Sequence, residues 1–130
     1  MLRWLRNIMI DTHAHLYLMK QPLDTAIKQA KDAGVSHIIN IAIDISTSLQ
    51  ALAQAKHDPT MVSATAGIHP CESAGFTQYN ELEHLLTTEP FIALGEIGLD
   101  YHHMTAPKET QWNCFVKQLE LAQKLHLPVV

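Results

Sequence analysis

The sequence predicts the α/β class, with a parallel sheet whose strands are joined by crossover helices. Three observations carry this. Five short apolar runs rich in β-branched residues recur along the chain without the alternation of a strand that has one wet face. Such runs suit strands covered on both sides, as in parallel sheets. Longer segments with apolar residues at helical spacing separate them. Finally, the 130 residues are 47% hydrophobic and 17% charged, which excludes a disordered chain and allows one domain with a core of its own.

The strand runs are Ile8–Ile10 leading into Asp11-Thr12-His13, Ser36–Ile43, Met61–Ile68, Phe91–Ile97 and a beginning at Pro128–Val130. The first helix candidate carries Leu23, Ala26, Ile27, Ala30 and Ala33, opened by Pro22 and closed by Gly34. The second carries Ile45, Leu49, Leu52 and Ala53, with Ser46, Thr47 and Ser48 available as caps. Leu82, Leu85 and Leu86 form a short third stripe. Phe115, Leu119, Ala122 and Leu125 form the longest, after Pro107. The expected order is four β/α units and the start of a fifth strand. That is half of an eight-stranded barrel of ~250 residues, or a small flavodoxin-like domain of similar length. The spacing alone leaves both open.

Nine Lys and Arg face thirteen Asp and Glu, for a net charge of -4, so no basic stripe marks a grip on long nucleic acid. Nine histidines are many for this length and hint at metal or acid–base chemistry. Cys71 and Cys114 have no metal-binding or redox spacing, and read as reduced thiols of a cytoplasmic protein. No apolar run approaches the ~20 residues that span a bilayer, so no membrane partner is expected. The start, MLRWLRNIMI, is broken by Arg3, Arg6 and Asn7 and lacks a secretory pattern. Residues 1–8 read as an extension and 9–130 as the domain.

The strongest motif is Asp11-Thr12-His13-Ala14-His15, at the end of the first run. Residues two apart on a strand share a face, so His13 and His15 can aim two imidazoles at one divalent ion. Asp11 lies on that face and is placed to accept a ring N–H. The second is Gly95-Glu96-Ile97-Gly98-Leu99-Asp100. A carboxylate closing a buried run calls for a cation partner. The glycines allow close backbone approach and a sharp exit. Asp100 follows in the strand-to-helix loop, where α/β sites sit. The third is Gly67-Ile68-His69-Pro70, which sends His69 to the same mouth. His102 also faces this loop region, and His103 reads as solvated. His37, His57, His84 and His126 lie at strand starts or on helices and read as structural. Three successive runs thus end in His or Glu on the carboxyl side, where β/α barrels place their sites.

MIDTHAHL (9–16), AGIHP (66–70) and ALGEIGLDYH (93–102) together resemble the TatD family of metal-dependent hydrolases, which are deoxyribonucleases. The resemblance covers 9–130 and implies the N-terminal half of a TIM-barrel-like fold. It implies that His13, His15 and Glu96 bind metal and that His69 and Asp100 line the same cleft. Glu96 and Asp100 are then the expected catalytic carboxylates, with Asp11, His69 and His102 behind the metal or facing substrate. It implies divalent ions, Zn, Mg or Mn, two in an intact member, and DNA as substrate. Two later histidines and a late aspartate of the family lie beyond Val130. The chain alone is therefore expected to have weak or no nuclease activity, and its open sheet edge to favour self-association or a complementary C-terminal fragment. The alternatives are a small-molecule amidohydrolase or phosphoesterase, and an inactive remnant that binds metal or a partner.

Overall fold

The computed structural model describes residues 8–75 and 77–130; of the expected N-terminal extension, residues 1–7 lie outside them. The chain runs β1 (Met9–Ala14), α1 (Leu23–Asp32), β2 (Val35–Asn40), α2 (Ile45–His57), β3 (Val62–Ala66), α3 (Tyr79–Thr88), β4 (Ala93–Leu94) and α4 (Lys108–Leu125). Short 3₁₀ turns at Leu16–Leu18 and Pro70–Gly75 follow β1 and β3.

The sheet order is β1-β2-β3-β4, and every pair is parallel. This decides between the two architectures left open by spacing. A flavodoxin-like sheet places its second strand outside its first, whereas a barrel adds strands in chain order. The expected fifth strand begins where the sequence puts it. Leu94 N–H donates to Pro128 O at 2.9 Å, Val130 N–H donates to Leu94 O at 3.1 Å, and Leu94 pairs in parallel with Val129. The molecule is a curled half-barrel with helices on its outer side.

Two apolar clusters hold the layers together. The larger joins Ala42, Ala64, Ala66 and Leu94 of the sheet region to Leu52, Leu82, Leu86 and Leu121 of α2, α3 and α4. The smaller packs Ile27 of α1 against Ile38, Met61 and Val62, with Leu16. Small side chains on the sheet let close neighbours meet. A Cβ on Gly67 would stand 2.7 Å from the Gly95 carbonyl carbon, and one on Gly95 would stand 2.6 Å from Val130 O. Gly34 closes α1 at φ +90°, a left-handed conformation that glycine adopts without strain.

Four expectations are corrected. Not every strand run is covered on both faces: Ile8, Met9 and Ile10 are 77%, 55% and 50% exposed. Among the described residues β1 is the edge of this sheet and pairs with β2 alone. The second helix is capped not by Ser46, Thr47 or Ser48 alone but by Asp44, which accepts from Thr47 N–H at 2.7 Å while Thr47 Oγ1 accepts from Asp44 N–H at 3.0 Å. It buries Ile45, Ser48, Ala51 and Leu52, leaving Leu49 and Ala53 exposed. The buried face of α4 is Gln111, Cys114, Gln118, Leu121 and Ala122, so Phe115 and Leu119 lie to one side of it. Glutamines fill that face because each finds backbone partners in the loops beneath.

Candidate metal centre

Strand periodicity carries His13 and His15 out of β1 toward the carboxyl end of the sheet. Glu96 follows β4, and its backbone N–H donates to Ala42 O at 2.7 Å, which fixes it beside the end of β2. The three side chains converge. His13 Nε2 lies 3.3 Å and His15 Nε2 3.9 Å from the same oxygen, Glu96 Oε2. All three donor atoms fall within 4.8 Å of one another. Ligands about 2.0–2.1 Å from a tetrahedral ion stand roughly 3.3–3.4 Å apart, so small side-chain rotations close this set around a cation.

The hydrogen bonds sort the imidazoles by role. His15 Nδ1 lies 2.8 Å from the Ile41 carbonyl oxygen. A carbonyl only accepts, so the neutral ring carries its proton on Nδ1 and leaves the Nε2 lone pair toward Glu96. Tyr17 donates to the same carbonyl at 2.9 Å. Burial raises the Tyr17 phenol above its ordinary pKa, and the negative Asp44 and Glu96 add to the rise against a Thr47 hydrogen bond. His69 is arranged the opposite way. Its Nδ1 accepts the Cys71 backbone N–H at 3.1 Å, so the neutral ring carries its proton on Nε2, 3.7 Å from Glu96 Oε1. A protonated ring nitrogen has no lone pair for a metal. His69 is thus set as a hydrogen-bond donor into the cleft.

The remaining sequence candidates are placed differently from the expectation. Asp11 does not hold a ring N–H; its Oδ1 accepts the backbone N–H of His13 at 3.1 Å, and the Ile41 carbonyl orients His15 instead. Asp100 turns to Cys71 and His103 rather than joining the His13–His15–Glu96 group. The His103 backbone N–H and then its ring hold the Asp100 carboxyl well below the usual carboxylate range, with Cys71 and the His102 N–H helping against partial desolvation. His102 is exposed, its ring edge-on to His103 with centroids 4.8 Å apart.

Several residues that shape the site carried no motif. Gln118 is fully buried; its Oε1 accepts Ile68 N–H at 2.8 Å and its Nε2 donates to Ile68 O at 3.0 Å. It therefore pins the residue before His69. Gln111, seven residues earlier on the same face of α4, accepts Asp100 N–H at 2.8 Å and donates to Asp100 O at 3.0 Å. Asn40 accepts Leu16 N–H at 2.9 Å and holds the turn after His15. The signal for the glutamines was two polar residues at i and i+7 within a helix stripe that must be buried. His13, His15, Tyr17, His69, Cys71 and Glu96 line one cleft of about 370 Å³. A larger hollow of about 760 Å³, beside Ile8, Val35 and Met61, opens at the amino ends of the strands, away from this chemistry.

The fold and site define a class: a β/α half-barrel with a His/His/carboxylate group, spaced so that it could hold a metal ion, on the carboxyl rim of its strands. The family model of TatD-related DNases matches residues 10–130, and the chain belongs to that family. It is similar to the uncharacterized metal-dependent hydrolase YabD of Bacillus subtilis, with 31% identity over 95% of this chain and 49% of that protein. It is also similar to the 3'-5' ssDNA/RNA exonuclease TatD of Erwinia tasmaniensis, with 38% identity over 82% of this chain and 42% of the relative. Among solved structures, the TatD homologue YJJV of Escherichia coli superposes with a TM-score of 0.84 and 31% identity, over 93% of this chain and 49% of that one. The chain thus spans about half the length, or somewhat less, of the relatives it matches.

Proposed function

We propose that this chain carries the first half of a metal-dependent phosphodiesterase centre acting on DNA. The observation that supports it most is the convergence of His13 and His15 Nε2 on Glu96 Oε2, with His15 oriented by a backbone carbonyl. His13, His15 and Glu96 would hold a divalent ion, Zn, Mn or Mg, and a complete centre of this kind would take a second ion. When bound, such an ion polarises a phosphoryl oxygen and makes water a stronger acid.

The chain's own residues do the rest. The Ile41 carbonyl, by accepting from Nδ1, keeps His15 in the ligating tautomer and holds its ring in place. His69 donates Nε2–H to a non-bridging phosphate oxygen, where negative charge accumulates as the nucleophile attacks. Tyr17, held protonated, walls the cleft without adding charge. Asp100 stays ionised and positions the 98–106 loop at the rim. The apolar edge at Ile8, Met9 and Ile10 supports pairing with complementary strands, from a C-terminal fragment or a second copy. Two free cysteines support the cytoplasm as its compartment.

Calorimetric titration with Zn²⁺ and Mn²⁺ tests the cradle, and cleavage of an end-labelled single-stranded DNA tests the chemistry. The expected result is ion binding by the chain alone, and cleavage that rises strongly when the C-terminal half of a relative such as YJJV is added. Binding or complemented cleavage unchanged by His15→Ala overturns the reading.

A further inference from the structure

The loops after β3 and β4 bring a second set of ligand-type side chains together outside the cradle. Cys71 Sγ lies 3.4 Å from Asp100 Oδ2, and His103 Nδ1 lies 2.6 Å from that same oxygen. The three donor atoms all lie within 4.8 Å of one another. We propose that Cys71, Asp100 and His103 form a second, separate site for one divalent thiophilic cation, Zn²⁺ above all.

Geometry comes first. With Zn–S near 2.3 Å and Zn–N and Zn–O near 2.0 Å, tetrahedral ligands stand roughly 3.5 Å apart for S and O and about 3.3 Å for N and O. The Cys71–Asp100 separation already matches. The His103–Asp100 contact must open by about 0.7 Å, a modest swing for a side chain that is exposed. The fixed partner is the carboxylate. Asp100 Oδ1 accepts the backbone N–H groups of His102 and His103, both at 2.9 Å, which leaves Oδ2 aimed at the other two donors. Thr105 Oγ1 donates to Cys71 O at 2.9 Å and ties the two loops together. Gln111 clamps the Asp100 backbone from α4.

Chemistry comes second. Two N–H or S–H protons point at one carboxylate oxygen, and a cation can replace both. On binding, Cys71 releases its thiol proton to solvent, and the neutral His103 ring moves its proton from Nδ1 to Nε2 with no net change. One thiolate and one carboxylate then balance a divalent charge, and one proton is released per ion. A thiolate, an imidazole and a carboxylate form a mixed set that favours Zn²⁺ over Mg²⁺ or Ca²⁺. Water completes the fourth position on the exposed side of His103. Cys71 also lines the cleft of the first cradle, so the second ion would sit on its wall.

Cobalt reads this site selectively, because thiolate ligation produces an intense near-ultraviolet charge-transfer absorption that the His13–His15–Glu96 set cannot give. The chain has two cysteines, and Cys114 is 4% exposed in the core with its sulfur against Gln118 Nε2. The full chain, reduced, is titrated with Co²⁺ and then Zn²⁺. The band is expected to saturate at one equivalent for this site, to bleach when Zn²⁺ is added, and to survive His15→Ala. Cys71→Ser should abolish it, and His103→Ala should weaken cobalt affinity at least about tenfold while circular dichroism stays unchanged. No band at excess cobalt, a band that survives Cys71→Ser, or one indifferent to His103→Ala overturns the proposal. None of these outcomes touches the phosphodiesterase reading, which rests on the other cradle.

Discussion

Replacing Gln118 with leucine should destabilise the fold and loosen His69 together. Gln118 is fully buried and satisfies both the N–H and the C=O of Ile68, itself buried. Leucine fills much the same space but offers neither donor nor acceptor. Two buried backbone groups are then orphaned, at about 1–3 kcal/mol each. The apolar side chain returns roughly 1–2 kcal/mol of transfer free energy. The net loss is about 2–3 kcal/mol. With a urea slope near 2 kcal/mol per molar for a chain of this size, the midpoint falls by roughly 1–1.5 M. The control is Gln123→Leu, the same chemical change at an exposed position of the same helix, expected to stay within about 0.5 kcal/mol. A Gln118→Leu midpoint within 0.5 M of the parent, so about 1 kcal/mol or less, would show that the clamp on Ile68 is not what holds the loop.

Other consequences are equally direct. Asp44→Ala removes the acceptor half of the capping box and should lower stability by about 1 kcal/mol in the same urea titration. Gly67→Ala puts a Cβ 2.7 Å from Gly95 backbone and should cost about 1–3 kcal/mol through forced separation of β3 and β4, again by urea midpoint. Burial pushes the Cys114 thiol from the usual 9.0 up to about 11, so the native state keeps a proton that the unfolded chain loses. Stability from this residue is therefore full below pH 9 and is lost by on the order of 3 kcal/mol as pH rises to 11. Cys114→Ala should flatten that alkaline decline. His15→Ala should weaken Zn²⁺ binding at the cradle at least about tenfold, whereas His69→Ala should leave it within about twofold and depress only complemented cleavage. Equal effects on binding would refute the tautomer assignment.

What was legible in the sequence follows from what periodicity encodes. The β/α order, the fifth-strand start and the convergence of 13, 15 and 96 at one rim all follow from strand-end positions, which chain order fixes. Less legible was which face each helix buries. In α4 the apolar count points to Phe115 and Leu119, yet the core takes Gln111 and Gln118 because backbone groups of the site loops wait there. A hydrophobic tally scores a satisfied glutamine as a surface residue. Asp11 misled for a related reason. Its position favoured a ring N–H, but a nearer backbone N–H two residues on took the carboxylate. His103 was assigned to solvent, and it is exposed, yet its inward nitrogen meets Asp100. Exposure of a residue does not fix the partner of each of its atoms.

The orienting contacts of the cradle explain how a half-barrel can present an ordered site at all. Ile41, which sets the His15 tautomer, belongs to the segment following β2, the immediate neighbour of β1. Ala42 holds Glu96, Cys71 N–H sets His69, and Gln118 fixes the residue before it. Each of these partners lies within the same four β/α units, so the geometry of the three donors needs no strand from elsewhere. Among the described residues the apolar side chains of Ile8, Met9 and Ile10 stand exposed, at the other end of the strand from the ligands. On the proposed reading, ion binding at the cradle and pairing at the β1 edge are separable: the first would rest on backbone partners within these four units, and the second on the exposed side chains of Ile8, Met9 and Ile10.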